Sequence, residues 1–476
     1  MLSILSPRTC NLGGMYAIFY DLETSDKNPI GQILNYSFIV VDSQLRTIDE
    51  CSGLVRISRL QIPDCGAILA NRTNVLVHQE RAEHTELEAM RSIANFIRSC
   101  VQRAQGAVAL IGYNSSRFDL SYLRTSLIRN GINPYFDRKI VPRDLLHVVQ
   151  KAYLVSAPFR ELITKQRSSE KRLSLSLQTV GHAFGLLRGA QAHESREDVL
   201  LTVRIAEWLR DNCDLDATTF ESYEGGKLHT TARTGSVYLV EEPEYDLEAT
   251  SYSAKRPCTL LDADNRSALW IDLDRYAETR DPACILWRSA AKNAFFVSPK
   301  AVSDAELQAR ARAAIGQFKN ITLRNFFERS TCDIEQDIYR LDFDQLDLYI
   351  KAIAENDKGV LDGCPTPDAK ILWTRHQLAD PRASLDDPRM AEMLRKYALH
   401  RYGGALQLVR HVRDEKEGAF HATLGEMVRQ LTLAREAAIA QSNSEDQELL
   451  EALELFVRSS DIAKVAGKEL LPMWKL

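Results

Sequence analysis

Residues 15–24, MYAIFYDLET, constrain the fold most. The run is apolar and aromatic up to Tyr20 and then ends in acids, so it reads as a buried strand. ILNYSFIVVD (33–42) reads as a second strand and 50–58 as a weaker third. Thr85 and Glu88 have capping-box spacing. Leu87, Met90, Ile93, Ala94, Ile97 and Val101 follow at helical period, which predicts an amphipathic helix over 86–103. AVALIGY (107–113) is a short apolar strand, and helices are expected at 118–130, 143–155, 175–185 and 194–210. Strands first, then alternating helices, predict one mixed α/β domain over 15–210.

The pattern changes beyond it. Residues 213–256 are acidic and turn-rich. CTLLDADNRSALWIDLD (258–274) reads as a hairpin around a turn at Asp262–Asn265, and NAFFV (294–298) as a further strand. From about 366 the pattern is helical, at 388–401, 418–441 and 444–459. The 476 residues are enough for three domains at roughly 150 residues each. No run approaches the ~18 apolar residues of a membrane helix, and residues 1–14 lack the layout of a secretory signal. Nine scattered cysteines without a Cys-x-x-Cys are expected to be reduced thiols of a cytoplasmic protein.

Net charge is −5, but it is unevenly spread: +6 over 1–210 and −11 beyond. Residues 117–188 alone hold 13 Lys and Arg against 5 Asp and Glu. Such a segment can attract a polyanion; the plainer reading is a solvated surface.

Asp21 and Glu23, two apart on a strand, share one face. Adjacent carboxylates repel and stay ionised most easily with a divalent cation between them. The plainer reading is an acidic turn. Asp119 follows IGYNSSRF at a strand-to-helix turn, where an acid also favours the helix dipole. Phe118 is most simply a core anchor and Asn114 a turn residue. His193 precedes an amphipathic helix that carries Asp198 near its start.

Taken together, Asp-x-Glu on a first strand, Gly-Tyr-Asn-x-x-Arg-Phe-Asp at a strand-to-helix turn and His-x4-Asp at a late helix resemble the DEDDh exonucleases. The closer resemblance is to the bacterial exonuclease I family. It is carried by FYDLET (19–24), IGYNSSRFD (111–119), Arg143-Asp144-Leu145-Leu146 at a helix start, LSLQTVGHAFGL (175–186), HESRED (193–198) and RASLDDPRMAEMLRKYALHRYGGAL (382–406). It implies an α/β ribonuclease-H-like nuclease domain with a mixed five-stranded sheet and helices (15–212). An SH3-like β domain (213–355) and an all-helical C-terminal domain (356–476) would follow, with residues 1–14 as an extension and Met15 as an alternative start.

The implied activity is 3′→5′ digestion of single-stranded DNA to nucleoside 5′-monophosphates, with roles in DNA repair and recombination; an RNA-directed relative and a non-catalytic DNA-binding homologue are the alternatives. The resemblance implies that Asp21, Glu23, Asp119 and Asp198 bind two Mg²⁺ ions, or Mn²⁺, and that His193 is the general base. It implies substrate contacts at Ala67, Leu69, Asn71, Asn114, Arg117, Arg143, Lys171 and Arg172. Expected partners are single-stranded DNA and the single-strand-DNA-binding protein, with a monomeric chain. Three departures stand out: Leu22 replaces an aromatic between the acids, Lys227 is the one basic residue clearly kept in 223–230, and the basic insert 156–172 reads most simply as a flexible loop over a DNA channel.

Overall fold

Alternation along strand β1 (Ala17–Thr24) decides how the first sheet is covered. Ala17 and Phe19 belong to one buried cluster, Ile18, Tyr20 and Leu22 to another. Successive strand side chains face opposite ways, so this sheet needs helices on both sides. The computed structural model describes residues 17–104, 106–116, 118–166, 173–187, 194–220, 234–243, 253–263, 267–289, 296–298, 300–323, 343–362, 367–380, 382–403 and 423–471.

The other strands of the sheet are β2 (Ile33–Val41), β3 (Thr47–Leu54), β4 (Val108–Gly112) and β5 (Ile140–Asp144), in the order β3-β2-β1-β4-β5. β1, β2 and β3 pair antiparallel, while β4 runs parallel to β1 and to β5. The helices are α1 (Cys65–Ala70), α2 (Val75–Arg81), α3 (Glu86–Ala104), α4 (Asp119–Arg129), α5 (Leu145–Val155), α6 (Ala157–Lys165), α7 (Leu177–Ala183) and α8 (Ser195–Cys213). Side chains of α5, α7 and α8 fill the Phe19 cluster; those of α3 and α4 fill the Leu22 cluster. The expected capping box is present: Thr85 N donates to Glu88 Oε2 at 2.8 Å and Glu88 N to Thr85 Oγ1 at 3.4 Å.

The expected loop at 156–172 is corrected in its first part. Ser156 caps α6, and Phe159 and Ile163, one helical turn apart, are both buried, which fastens the segment to the sheet. Residues 167–172 lie outside the described residues. Strand β5 and helices α1 and α2 have no counterpart in the sequence reading. β5 contains Pro142 and only half-buried side chains before Asp144, so it lacks an apolar run.

A second five-stranded sheet is formed by Val237–Pro243, Ser253–Ala263, Ser267–Asp272, Ile285–Ser289 and Phe296–Val297, antiparallel throughout. The expected hairpin is the Ser253–Ala263/Ser267–Asp272 pair, although its turn at 264–266 is outside the described residues. Helices Pro388–Tyr402, Leu424–Ala440 and Ser444–Ser459 correspond to those expected at 388–401, 418–441 and 444–459, of which 418–422 lie outside the described residues. Their apolar faces cover Ile57, Ile62, Ile68 and Val75 of the first region. The Tyr402 hydroxyl accepts from Ile62 N at 2.8 Å and donates to Leu60 O at 3.2 Å. Among the described residues no helix is long and apolar enough to cross a membrane.

Candidate active site

Asp21 and Glu23 continue the Ala17–Phe19 face of β1, the side on which α8 packs. Apolar side chains line that face until the strand reaches its carboxyl end, and there it becomes acidic. Asp198, in the first turn of α8, faces back toward them. One carboxylate oxygen from each of Asp21, Glu23 and Asp198 can lie within 4.8 Å of the others. The start of α8 is fixed by Ser195, whose Oγ donates to Asn35 Oδ1 at 3.0 Å, and Asn35 is the β2 partner of Glu23. No local signal in the sequence marks Asn35; it follows from strand register.

Asp119 enters from the sheet's other flank. It is the first residue of α4, and its Oδ1 accepts from Leu22 N, between the two acids of β1, at 3.2 Å. All four carboxylates line one cavity of about 240 Å³, together with Asp26, Lys27, Asn71 and Phe118. Asn71 also donates its Nδ2 to Thr24 O at 2.9 Å, which ties the end of α1 to the end of β1.

The remaining substrate-contact residues divide. Ala67 and Leu69 sit on α1, Asn114 in the turn after β4 and Arg143 on β5, and none of them lines this cavity. Arg143 instead donates to Phe220 O. Arg117, Lys171, Arg172, His193 and Lys227 lie outside the described residues. Phe118 is corrected: it is 50% exposed at the cavity and not a core anchor. Leu22 is buried on the opposite face from the acids, so replacing an aromatic there changes packing under the site.

The electrostatics follow from this crowding. Burial and then the charges of Asp119, Glu23 and Asp198 push the Asp21 carboxyl well above the usual range. Burial, Asp198 and Asp119 raise Glu23 to about 8, and burial is the main reason Asp119 rises to about 7. Among the described residues the side chains that shift Asp21 and Glu23 are acidic, and a divalent cation relieves this repulsion. The donors are all oxygen, which suits hard cations, so the residues present fit a metal centre. Glu23, raised to about 8, holds a proton at neutral pH, and metal must displace it. Affinity is therefore expected to rise with pH through 7 to 8. Calorimetry at pH 7 in buffers of different ionisation enthalpy reads the released protons; heats independent of buffer would contradict the cluster.

Asp26, at the cavity wall, is raised by burial to about 6 although Arg401 partly opposes this. Its folded value lies above its unfolded one. Its ionised form is thus a burden on the fold, absent below about pH 4 and complete above about pH 6, at most ~3 kcal/mol. Asp26→Asn keeps an acceptor for Asn28 N, which now donates to Asp26 Oδ1 at 3.0 Å. The variant is expected to match wild type at pH 4 and exceed it in denaturation midpoint at pH 7; equal midpoints at both would refute this.

No family model matches the sequence, and no curated protein matches it. Solved structures do. Exonuclease I superposes with a TM-score of 0.63 at 16% identity, over 93% of this chain and 98% of that one. E. coli exonuclease I in complex with a dT13 oligonucleotide gives 0.65 at 16%, covering 93% and 99%. The zinc-bound form of the E. coli exonuclease I complex with single-stranded DNA gives 0.63 at 16%, covering 93% and 98%. The match covers 93% of the chain, so the fold of this chain is that of exonuclease I.

Proposed function

We propose that the chain is a metal-dependent 3′→5′ exonuclease that degrades single-stranded DNA to nucleoside 5′-monophosphates. The observation that carries this reading is the clustering of Asp21, Glu23 and Asp198, with Asp119 bound to the backbone between the first two. The cluster sits at the carboxyl end of β1, beside a parallel strand, where α/β sheets commonly bind ligands. The four carboxylates would hold two Mg²⁺ ions, which supply a polarised phosphate and a more acidic attacking water. Within this reading 15–212 is the nuclease domain, 213–355 an SH3-like domain and 356–476 a helical domain. Asn71 and Phe118 are suited to the terminal nucleotide, one as a polar contact and the other as an exposed ring for a base.

His193 takes the proton from water, because imidazole is half protonated near pH 6.5. His193→Ala is expected to lower kcat by about 10²–10⁴-fold with metal affinity kept; superimposable pH–rate profiles of the variant and wild type would make it a bystander.

The function is tested with 5′-labelled strands of DNA and RNA and a hairpin bearing a 3′ overhang, with Mg²⁺ or EDTA. The expected result is Mg²⁺-dependent shortening of DNA from its 3′ end, with a stall at the duplex. Preference for RNA would redirect the substrate assignment. Binding without cleavage would make the chain a DNA-binding homologue.

A further inference from the structure

The acid of the Arg143-Asp144-Leu145-Leu146 segment has a task in the structure beyond opening a helix. Asp144 ends β5, caps α5 and is buried. Its Oδ1 accepts from Leu146 N at 3.0 Å, the ordinary capping bond, and from Asn114 N at 2.7 Å. Its Oδ2 accepts from Ser116 N at 3.0 Å and Ser116 Oγ at 2.6 Å. Four donors meet a carboxylate that has about four acceptor positions, so no lone pair remains for a cation. Asp144 also does not line the acidic cavity.

The turn that it grips joins β4 to α4. Asn114 there has φ +57°, a left-handed conformation that Asn tolerates better than most residues. The turn is tight: a Cβ on Gly112 would come within 2.4 Å of Ser115 Cβ. Ser115 O accepts from Leu120 N at 2.9 Å, so the turn sets where α4 begins. Its first residue is Asp119, bonded to Leu22 N between Asp21 and Glu23. A continuous path of hydrogen bonds and short backbone segments thus runs from Asp144 through the turn and Asp119 to the acidic end of β1.

We propose that Asp144 is a positioning residue for the metal centre: it holds the 113–116 turn in the one conformation that brings Asp119 against β1. This rests on the metal-dependent reading of the site. Removing Asp144 frees three turn donors and lets Asp119 drift, which the cluster experiences as a misplaced ligand. Groups that orient metal ligands typically matter by 10–100-fold in affinity or activity.

The test compares full-length wild type, Asp144→Ala, Asp144→Asn and Ser116→Ala. Mn²⁺ binding is measured by calorimetry without DNA, folding by thermal melting, and kcat and KM on oligo-dT with Mg²⁺. Asp144→Ala is expected to weaken Mn²⁺ binding and lower kcat by about 10–100-fold, with KM for DNA unchanged. Asp144→Asn keeps an acceptor for Asn114 and Leu146 but not for Ser116 N, so it falls between. Ser116→Ala removes one donor and shifts Mn²⁺ affinity the same way by less. A lower melting midpoint with wild-type Mn²⁺ affinity and kcat in the folded protein would overturn the proposal. Should Asp144→Ala not fold, Ser116→Ala decides: weakened Mn²⁺ binding supports the proposal and unchanged binding overturns it. If wild type itself neither binds Mn²⁺ nor cleaves, the metal-dependent reading falls and the proposal with it; if wild type does both and the variants match it, only the proposal falls.

Discussion

Replacing Asp21 with Asn is expected to lower Mg²⁺-dependent cleavage by at least about 10³-fold while leaving the chain folded and no less stable at neutral pH. The two halves of this result have one cause. Asp21 lies among Glu23, Asp119 and Asp198, and burial with three like charges drives its carboxyl far above the usual range. An amide of nearly the same shape removes that repulsion, so the fold gains. The same substitution removes a charged oxygen that would hold metal, and several kcal/mol of transition-state stabilisation corresponds to about three decades in rate. Activity and stability thus move in opposite directions, as at sites built under strain. The measurement pairs a labelled single-strand assay with a thermal melt at pH 7. Activity near wild type would remove Asp21 from the centre, and a large fall in the melting midpoint would mean that its charge is held by the fold in some other way.

The largest expected loss of stability is at Glu86, far from the carboxylates in sequence. Arg129 of α4 is 1% exposed, and its Nε donates to Glu86 Oε1 at 2.9 Å. Arg375, on helix Pro367–Leu378, donates to Glu86 Oε2 at 2.9 Å. Burial alone would raise the Glu86 carboxyl, but the two guanidinium groups outweigh it and hold it below its ordinary value. Its stabilising contribution is therefore present above about pH 4.5 and lost as pH falls through the folded value. Arg129 also donates to Ile30 O at 3.1 Å and Gly31 O at 2.6 Å, and its own carbonyl accepts from Tyr349 Oη at 2.8 Å. Glu86→Ala leaves two buried guanidinium groups without their shared carboxylate. A cost of about 3–5 kcal/mol is expected, read as a lower denaturant midpoint at pH 7. The triple replacement Glu86→Leu, Arg129→Met, Arg375→Met should lie closer to wild type than Glu86→Ala, because it removes charges together with their desolvation cost. A triple variant less stable than Glu86→Ala would show that the triad contributes more than mutual neutralisation.

Much of the first region was legible in the sequence because its strands and helices carry their own periodicity. β1, β2, β4 and α3 are long or apolar enough to be recognised alone, and Thr85 with Glu88 marks where α3 begins. Elements whose burial is supplied by distant partners were not. α1 and α2 are short, and their apolar residues Ile68 and Val75 are covered by helices more than 300 residues later in the chain. β5 has one buried residue, Asp144, and becomes a strand by pairing with β4. α6 was hidden by its basic surface residues, although Phe159 and Ile163 have helical spacing.

The acidic site divides in the same manner. By itself the sequence determined that Asp21 and Glu23 share a strand face, since period-two alternation is a property of the backbone. It also determined that Asp119 and Asp198 open helices, since the polar-to-apolar switch beside each is local. Only the tertiary structure decided that α8 packs on the acidic face of β1, that Ser195 meets Asn35 opposite Glu23, that Phe118 turns outward to the cavity, and that Asp144 grips the turn before Asp119. These depend on strand order and register. Register is set by the summed burial of whole strands and helices, and no neighbourhood of a few residues contains that sum.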